Sequence, residues 1–423
     1  MRFSTFLTTY SVVTSTVLAY PGMANDPGFS KRLAKLMERD SDEFDSNELI
    51  GDLITLPDSA LTPVAKDIKN IIMGDGSGES DVTYTGAVPA LKSAECGKDT
   101  CCVWKYIADD MVKLFKGNSG RCTKWARKAV RLGFHDAGGW SKQTAAQGLQ
   151  GGADGSICLN SVELTLTENN GLQDIGDQMK AWYAKYNTQL GFKSVTMADL
   201  IQMGATVATV VCPLGPRIKS YVGRKDSSIQ NPQLLPGVTQ SADDLISLFE
   251  DKTIRPHGLV ALLGAHTTSQ QFFVDTNRAG DPQDSTPGIW DVLFYGQTQG
   301  TAATPKRVFK FQSDIVISQH PKTQNEWQEF AGSGGQDHWN EDYAREYVRL
   351  SLLGVNNINT LTECTKVLPA AIKSFTAPDQ KNVDKWLNTL GSKSVLGQQL
   401  ANALNDGQSI ASFIISTVLG ILL

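Results

Sequence analysis

Arg131 and His135 stand one helical turn apart in the run Arg131-Leu132-Gly133-Phe134-His135-Asp136. On a helix that spacing puts a guanidinium and an imidazole on one face, so both can converge on one small ligand. An imidazole can take a proton and return it, while a guanidinium stays charged at any working pH and stabilises negative charge that develops on a leaving atom. Hydrogen peroxide has the size and chemistry that such a pair requires. Alone, Arg-x-x-x-His is a weak signal and more often a surface pair; its weight comes from the residues that accompany it.

Two oxygen-rich turns and a second histidine do so. Gly151-Gly152-Ala153-Asp154-Gly155-Ser156 offers backbone carbonyls plus the oxygens of Asp154 and Ser156, and with Asp136 these form a hard ligand set suited to calcium. The plain alternative is a glycine-rich turn without metal. His266 lies in the apolar stretch Leu262-Leu263-Gly264-Ala265-His266-Thr267, where a lone histidine is more often a satisfied core residue than a ligand. Downstream, Asp284-Ser285-Thr286-Pro287-Gly288-Ile289-Trp290-Asp291 again alternates carboxylate, hydroxyl and carbonyl oxygens, and reads as a second calcium loop.

These residues must be positioned by helices. From Cys96 to about Ala377 helical patterns alternate with Gly/Pro/Asp loops and few β-branched alternations, which predicts a mostly α core, and no internal repeat is visible. With 423 residues, 41% of them hydrophobic, the chain exceeds one average domain, so flanking segments are expected. Residues 1–19 read as a secretory signal cleaved near Ala19, against a frayed cytosolic N-terminus. Residues 20–95, with Lys31-Arg32 and the flexible Gly74–Gly78 tract, read as an extension or propeptide, residues 96–377 as the catalytic domain and 378–423 as a tail. The uncharged run from Ser409 to Leu423, with Gly391, Ser392 and Ser394 upstream, fits either a lipid-anchor attachment signal or a terminal amphipathic helix. The net charge of −5 gives no basic footprint for nucleic acid.

From Cys96 to about Ala371, the motifs resemble, in order and spacing, the secreted fungal peroxidases, class II of the plant-type haem peroxidase superfamily. The resemblance implies two helical halves enclosing haem b, a calcium ion in each half, and a secreted monomer. It implies that Arg131 and His135 form the distal pair, that Phe134 packs over the haem, and that His266 is the proximal iron ligand. Glu163 and Asn169 would relay a hydrogen bond to His135, and Asp314 would back His266, making it a more basic ligand. Asp136, Gly152, Asp154 and Ser156 would hold the distal calcium; Thr267, Asp284, Thr286, Ile289 and Asp291 the proximal one. Bridges Cys96–Cys102, Cys101–Cys364 and Cys122–Cys212 are implied, with Cys158 left over as a small buried residue. The implied reaction is one-electron oxidation of small phenols or aromatic amines by hydrogen peroxide through a ferryl intermediate.

Departures from the family pattern are informative. Ala261 stands where ligninolytic members carry an exposed tryptophan, and Gln283 where an aromatic often packs under the haem, a space that Phe272 or Phe273 could fill instead. Lys124, Lys128 and Phe272 occupy the positions of the manganese-binding carboxylates. Trp140, Trp290 and Trp339 are expected to pack rather than relay electrons. Two rival readings remain. A calcium-stabilised cell-surface binding protein on this scaffold would not need Arg131, His135, Asn169, His266 and Asp314 together, and a peroxygenase would need a cysteine thiolate on iron, for which no cysteine is set.

Overall fold

The computed structural model of the chain describes residues 44–388, 402–403 and 406–409. The expectations placed on residues 1–19, on Lys31-Arg32, on Gly391, Ser392 and Ser394, and on the run after Ser409 lie outside the described residues. The elements that matter below are α1 (Pro63–Met73), α2 (Thr100–Phe115), α3 (Lys124–Ala137), α4 (Met197–Val211), α5 (Pro256–Leu263), α6 (Gln312–Gln319) and α7 (Gly335–Leu350). The mostly α expectation holds: among the described residues, strand is confined to β1 (Tyr221–Val222) paired antiparallel with β2 (Thr362–Glu363).

α4 is the centre of the structure. Its sequence is mostly apolar with no continuous polar face, and all of its residues are buried, so its few polar side chains must find partners inside. Thr196 Oγ1 caps its start by accepting from Asp199 N at 3.1 Å. The buried Asp199 carboxylate accepts from Arg224 Nη1 at 3.0 Å, so no charge is stranded in the core.

α3 packs along α4, and Gly133 sets how closely. A Cβ there would lie 2.4 Å from Tyr347 Oη and 2.8 Å from Ala205 Cβ, so no larger residue fits without a shift. Gln202 on α4 then fastens three helices: its Nε2 donates to Gly133 O at 3.1 Å, and its Oε1 accepts from Tyr347 Oη at 2.9 Å. The fastening falls two residues before His135. On the other side of the molecule Gly264 repeats the device two residues before His266, where a Cβ would lie 2.3 Å from the Trp339 indole and 2.4 Å from Tyr295 Oη.

Three disulfides join Cys96 to Cys102, Cys101 to Cys364 and Cys122 to Cys212, and Cys158 is free and buried. The pairing agrees with that implied by the resemblance. Cys122 precedes α3 and Cys212 follows α4, so this bridge fixes the two helices at one end. The loop it closes spans 90 residues, and in the chain-entropy picture such a closure stabilises by about 4–5 kcal/mol.

The boundary expected at residue 96 lies inside the packed unit, which begins at Phe44. Ile50, Leu53, Leu61, Ala65, Ile68, Ile71 and Ile72 are buried in the same core as Trp104 and Tyr347. The reason is the helical spacing of the apolar residues on α1, which gives it one buried stripe capped by Thr62 and ended by Gly74. Arg349 Nη2 donates to Ile72 O, tying α7 to α1. Part of the tail also docks: Asp406 Oδ1 accepts from Lys124 N at 2.8 Å, at the start of α3 where Thr123 makes no side-chain cap. Among the described residues no helix is long and apolar enough to cross a membrane.

Candidate active site

α3 presents Arg131 and His135 on one face, with Arg131 Nε 3.1 Å from His135 Nε2. The other ring nitrogen, Nδ1, lies 2.7 Å from Asn169 Oδ1. Asn169 Nδ2 donates to the Glu163 carbonyl at 2.8 Å, which fixes the amide so that Oδ1 must accept. Nδ1 therefore carries the proton and Nε2 the lone pair. Glu163 thus serves the relay through its backbone carbonyl. Its carboxylate is used elsewhere, accepting from Asn231 N at 2.9 Å. Arg131 is held by two carbonyls, Nη1 donating to Asn170 O and Nη2 to Glu168 O, each at 2.8 Å.

Burial, and then the charge of Arg131, hold the His135 imidazole well below its ordinary value, against the hydrogen bond to Asn169, which acts the other way. Burial likewise lowers Arg131 to about 10, which still leaves it charged near neutrality. Arg131, Phe134 and His135 each keep part of their surface accessible although protein surrounds them, so this face of α3 borders open space.

His266 sits on the short turn Gly264–Thr268 that follows α5. Its Nδ1 lies 3.1 and 3.2 Å from the two oxygens of Asp314 on α6. Asp314 is fully buried and also accepts from Gln283 Nε2 at 3.3 Å. A carboxylate so placed accepts a hydrogen bond from Nδ1–H and leaves Nε2 free to ligate. Phe294 and Phe311 stand edge-on to the ring at 5.7 and 5.9 Å. The space offered above to Phe272 or Phe273 is not filled by them, since both are about half exposed. Phe273 instead approaches Gly171, near Arg131.

The two oxygen-rich turns are assembled. Asp136 is fully buried and accepts from Gly155 N at 3.1 Å, and Asp154 accepts from Ser156 N at 3.0 Å. Ser156 Oγ is buried without a well-formed hydrogen bond. Asn231 Nδ2 donates to Asp136 O and Gly152 O, bracing the loop. In the second turn, Thr267 Oγ1 donates to Asp284, and Thr286 Oγ1 lies 3.2 Å from Asp284 Oδ1 and 3.1 Å from Asp291 Oδ1. Ile289 O is 3.5 Å from Thr267 Oγ1. Burial and then the charge of Asp154 push Asp136 well above the usual carboxylate range; burial and then Asp291 do the same to Asp284. Buried carboxylates facing each other among carbonyls and hydroxyls are the donor set of a hard cation.

Among known families, the peroxidase family matches residues 107–333, more than half of the chain. A peroxidase from Arthromyces ramosus is 31% identical over 323 residues, covering 72% of this chain and 84% of the relative. This chain belongs to the peroxidase family. A peroxidase from Coprinopsis cinerea is 30% identical over 311 residues, covering 69% of this chain and 83% of its own length. Ligninase C from Trametes versicolor is 32% identical over 291 residues, covering 64% and 75%. With these relatives the protein is a class II fungal haem peroxidase that uses hydrogen peroxide, and its helices form the plant-type peroxidase fold.

The residues present fit the haem that the family carries. Each imidazole has its Nδ1 proton committed to a fixed acceptor, with His266 Nε2 left over and His135 Nε2 facing Arg131 Nε. His266 keeps 32% of its side chain accessible in spite of its aromatic neighbours. Asn231, Phe294 and Phe311 carry no sequence signal of their roles, since loop asparagines and apolar helix residues are common; only packing reveals them.

Proposed function

We propose that His135 and Arg131 act on hydrogen peroxide at a haem b held by His266. Bound haem would supply the redox centre that passes oxidising equivalents to the donor in one-electron steps. His135 Nε2 accepts the proton of the near peroxide oxygen and delivers it to the far one, which leaves as water when the O–O bond breaks. Arg131 stabilises the negative charge that builds on the departing oxygen. Asp314 keeps His266 oriented and basic through Nδ1, and Phe134 would pack against bound haem. The observation that carries this reading is the fixed tautomer of His135, whose lone pair faces Arg131 at 3.1 Å.

Two calcium ions complete the protein in this reading. Asp136, Gly152, Asp154 and Ser156 hold one, and Thr267, Asp284, Thr286, Ile289 and Asp291 the other. The enzyme works outside the cell as a monomer; three disulfides favour an oxidising compartment, and one chain supplies both histidines. A lipid-anchored form cut near Gly391 would give up the contact between Asp406 and Lys124. Residues 44–95 stay on the working enzyme, since their removal would open the core around Ile68 and Ile71.

The donors are small phenols or aromatic amines, without manganese. Lys128 Nζ is paired to Asp174 at 2.6 Å, and Phe272 is 47% exposed, so these positions offer an ammonium and a phenyl ring where manganese needs oxygen ligands. Ala261 is fully buried and cannot replace a surface tryptophan. Steady-state assays with peroxide should therefore show turnover of small phenols without manganese. Tight, saturable manganese oxidation by the unmodified enzyme would contradict the assignment.

A further inference from the structure

The helix Gln324–Ala331 and α7 face each other through a cluster of potential metal ligands. Glu326 and Glu329 are three apart on the first helix, and His338 and Asp342 four apart on α7, so each pair shares one helix face. One ligand atom from each of Glu326, Glu329 and His338 can be chosen so that all lie within 4.8 Å of one another.

The two nitrogens of His338 are in different states. Nε2 lies 2.9 Å from Asp342 Oδ2, close enough for Nε2–H to donate a hydrogen bond to the carboxylate. Nδ1 is buried and has no hydrogen-bond partner, although Glu329 Oε2 is 3.5 Å away. With the proton on Nε2, a lone pair on Nδ1 faces a carboxylate oxygen across a gap too wide for a hydrogen bond. A second carboxylate, Glu326, lies 3.7 Å from Nε2 of the same ring, and one oxygen of each glutamate falls within 4.8 Å of one ring nitrogen. A divalent cation between them would bind all three.

We propose that Glu326, Glu329 and His338 form a binding site for a divalent cation of the zinc class, with His338 ligating through Nδ1. Asp342 is the positioning residue, holding the tautomer from the far nitrogen as carboxylates do behind ligating histidines. One imidazole and two carboxylates are ligands that zinc accepts, and solvent can complete the coordination. Ligand atoms around tetrahedral zinc sit about 3.4 Å apart, so the cluster needs only to draw in. Glu326 is almost fully buried while Glu329 is nearly half exposed, which gives the site a closed floor and an entry side. The ion would clasp the two helices, and α7 carries both Tyr347, which fastens α3, and Trp339, which packs on Gly264.

The test is calorimetric titration of the full-length enzyme, loaded with haem and kept in excess calcium, with zinc chloride. One zinc ion per chain is expected, with affinity lowered about tenfold or more in Glu329→Gln and in His338→Gln, and about tenfold in Asp342→Asn. Glu329→Gln changes a half-exposed side chain, so it keeps the test valid should the His338 variant fold poorly. Anomalous scattering at the zinc edge from soaked crystals should place the ion between residues 326, 329 and 338. Absence of zinc binding, unchanged binding by both variants, or an anomalous peak elsewhere would each overturn the proposal.

Discussion

His135→Ala should keep its haem and slow the reaction with hydrogen peroxide on the order of 10²- to 10⁴-fold, the contribution of a positioned acid–base group. The expectation rests on the chain from the Glu163 carbonyl through Asn169 to His135 Nδ1, which leaves Nε2 as the base beside Arg131. The variant should fold, because the ring already borders open space and its loss opens no sealed cavity. The same geometry predicts a pH profile. Burial and Arg131 hold His135 well below its ordinary value, so the base stays unprotonated below the usual histidine range. The unmodified enzyme should therefore keep its rate of reaction with peroxide as pH falls through 6.5, and lose it only when the lowered value is reached. Stopped-flow traces read at the haem band give both quantities. An unchanged rate in His135→Ala would remove the residue from the chemistry.

Stripping calcium should destabilise the protein by on the order of 3–5 kcal/mol for each site emptied, the scale on which an uncompensated buried charge acts. The proximal site should also disturb the haem spectrum, because Thr267 is both a proposed ligand and the neighbour of His266. The pH dependence has a definite sign. Without the ion, burial and Asp291 raise Asp284 well above the usual range, and burial holds Asp291 at about 6. Folded carboxylates then bind protons more tightly than unfolded ones, so stability falls as pH rises from the ordinary 3.8 through about 6. Bound calcium removes that dependence. Melting temperatures of chelated and calcium-loaded enzyme across this range would show the difference, and coincident curves after verified metal removal would count against both sites.

Chemistry was legible in the sequence where a role demands a residue type at a fixed spacing. Arg131 with His135, His266 with its flanking glycine, the two oxygen-rich turns and the cysteines are of this kind, and the structure brings each set together. The packing of residues 44–95 against the rest was not legible, because α1 is joined to α2 by a long polar stretch, and polarity along the chain does not reveal that Ile68 and Ile71 share a core with Trp104. Gln202 and Asn231 escaped notice for a related reason. Each bridges elements far apart in sequence, and nothing in their own neighbourhoods distinguishes them from surface amides. Glu163 enters the relay through its carbonyl, an atom every residue has, so its residue type alone does not say which of its atoms is used.

The central claim is a haem held by His266 and reacting with peroxide under His135 and Arg131. It is tested most directly by the visible absorption spectrum of the purified full-length protein, before and after one equivalent of hydrogen peroxide and again after a small phenol. A histidine-ligated haem, a prompt shift of its main band with peroxide, and return to the starting spectrum as the phenol is consumed are expected. A thiolate-ligated spectrum, or a bound haem that peroxide leaves unchanged, would contradict that claim.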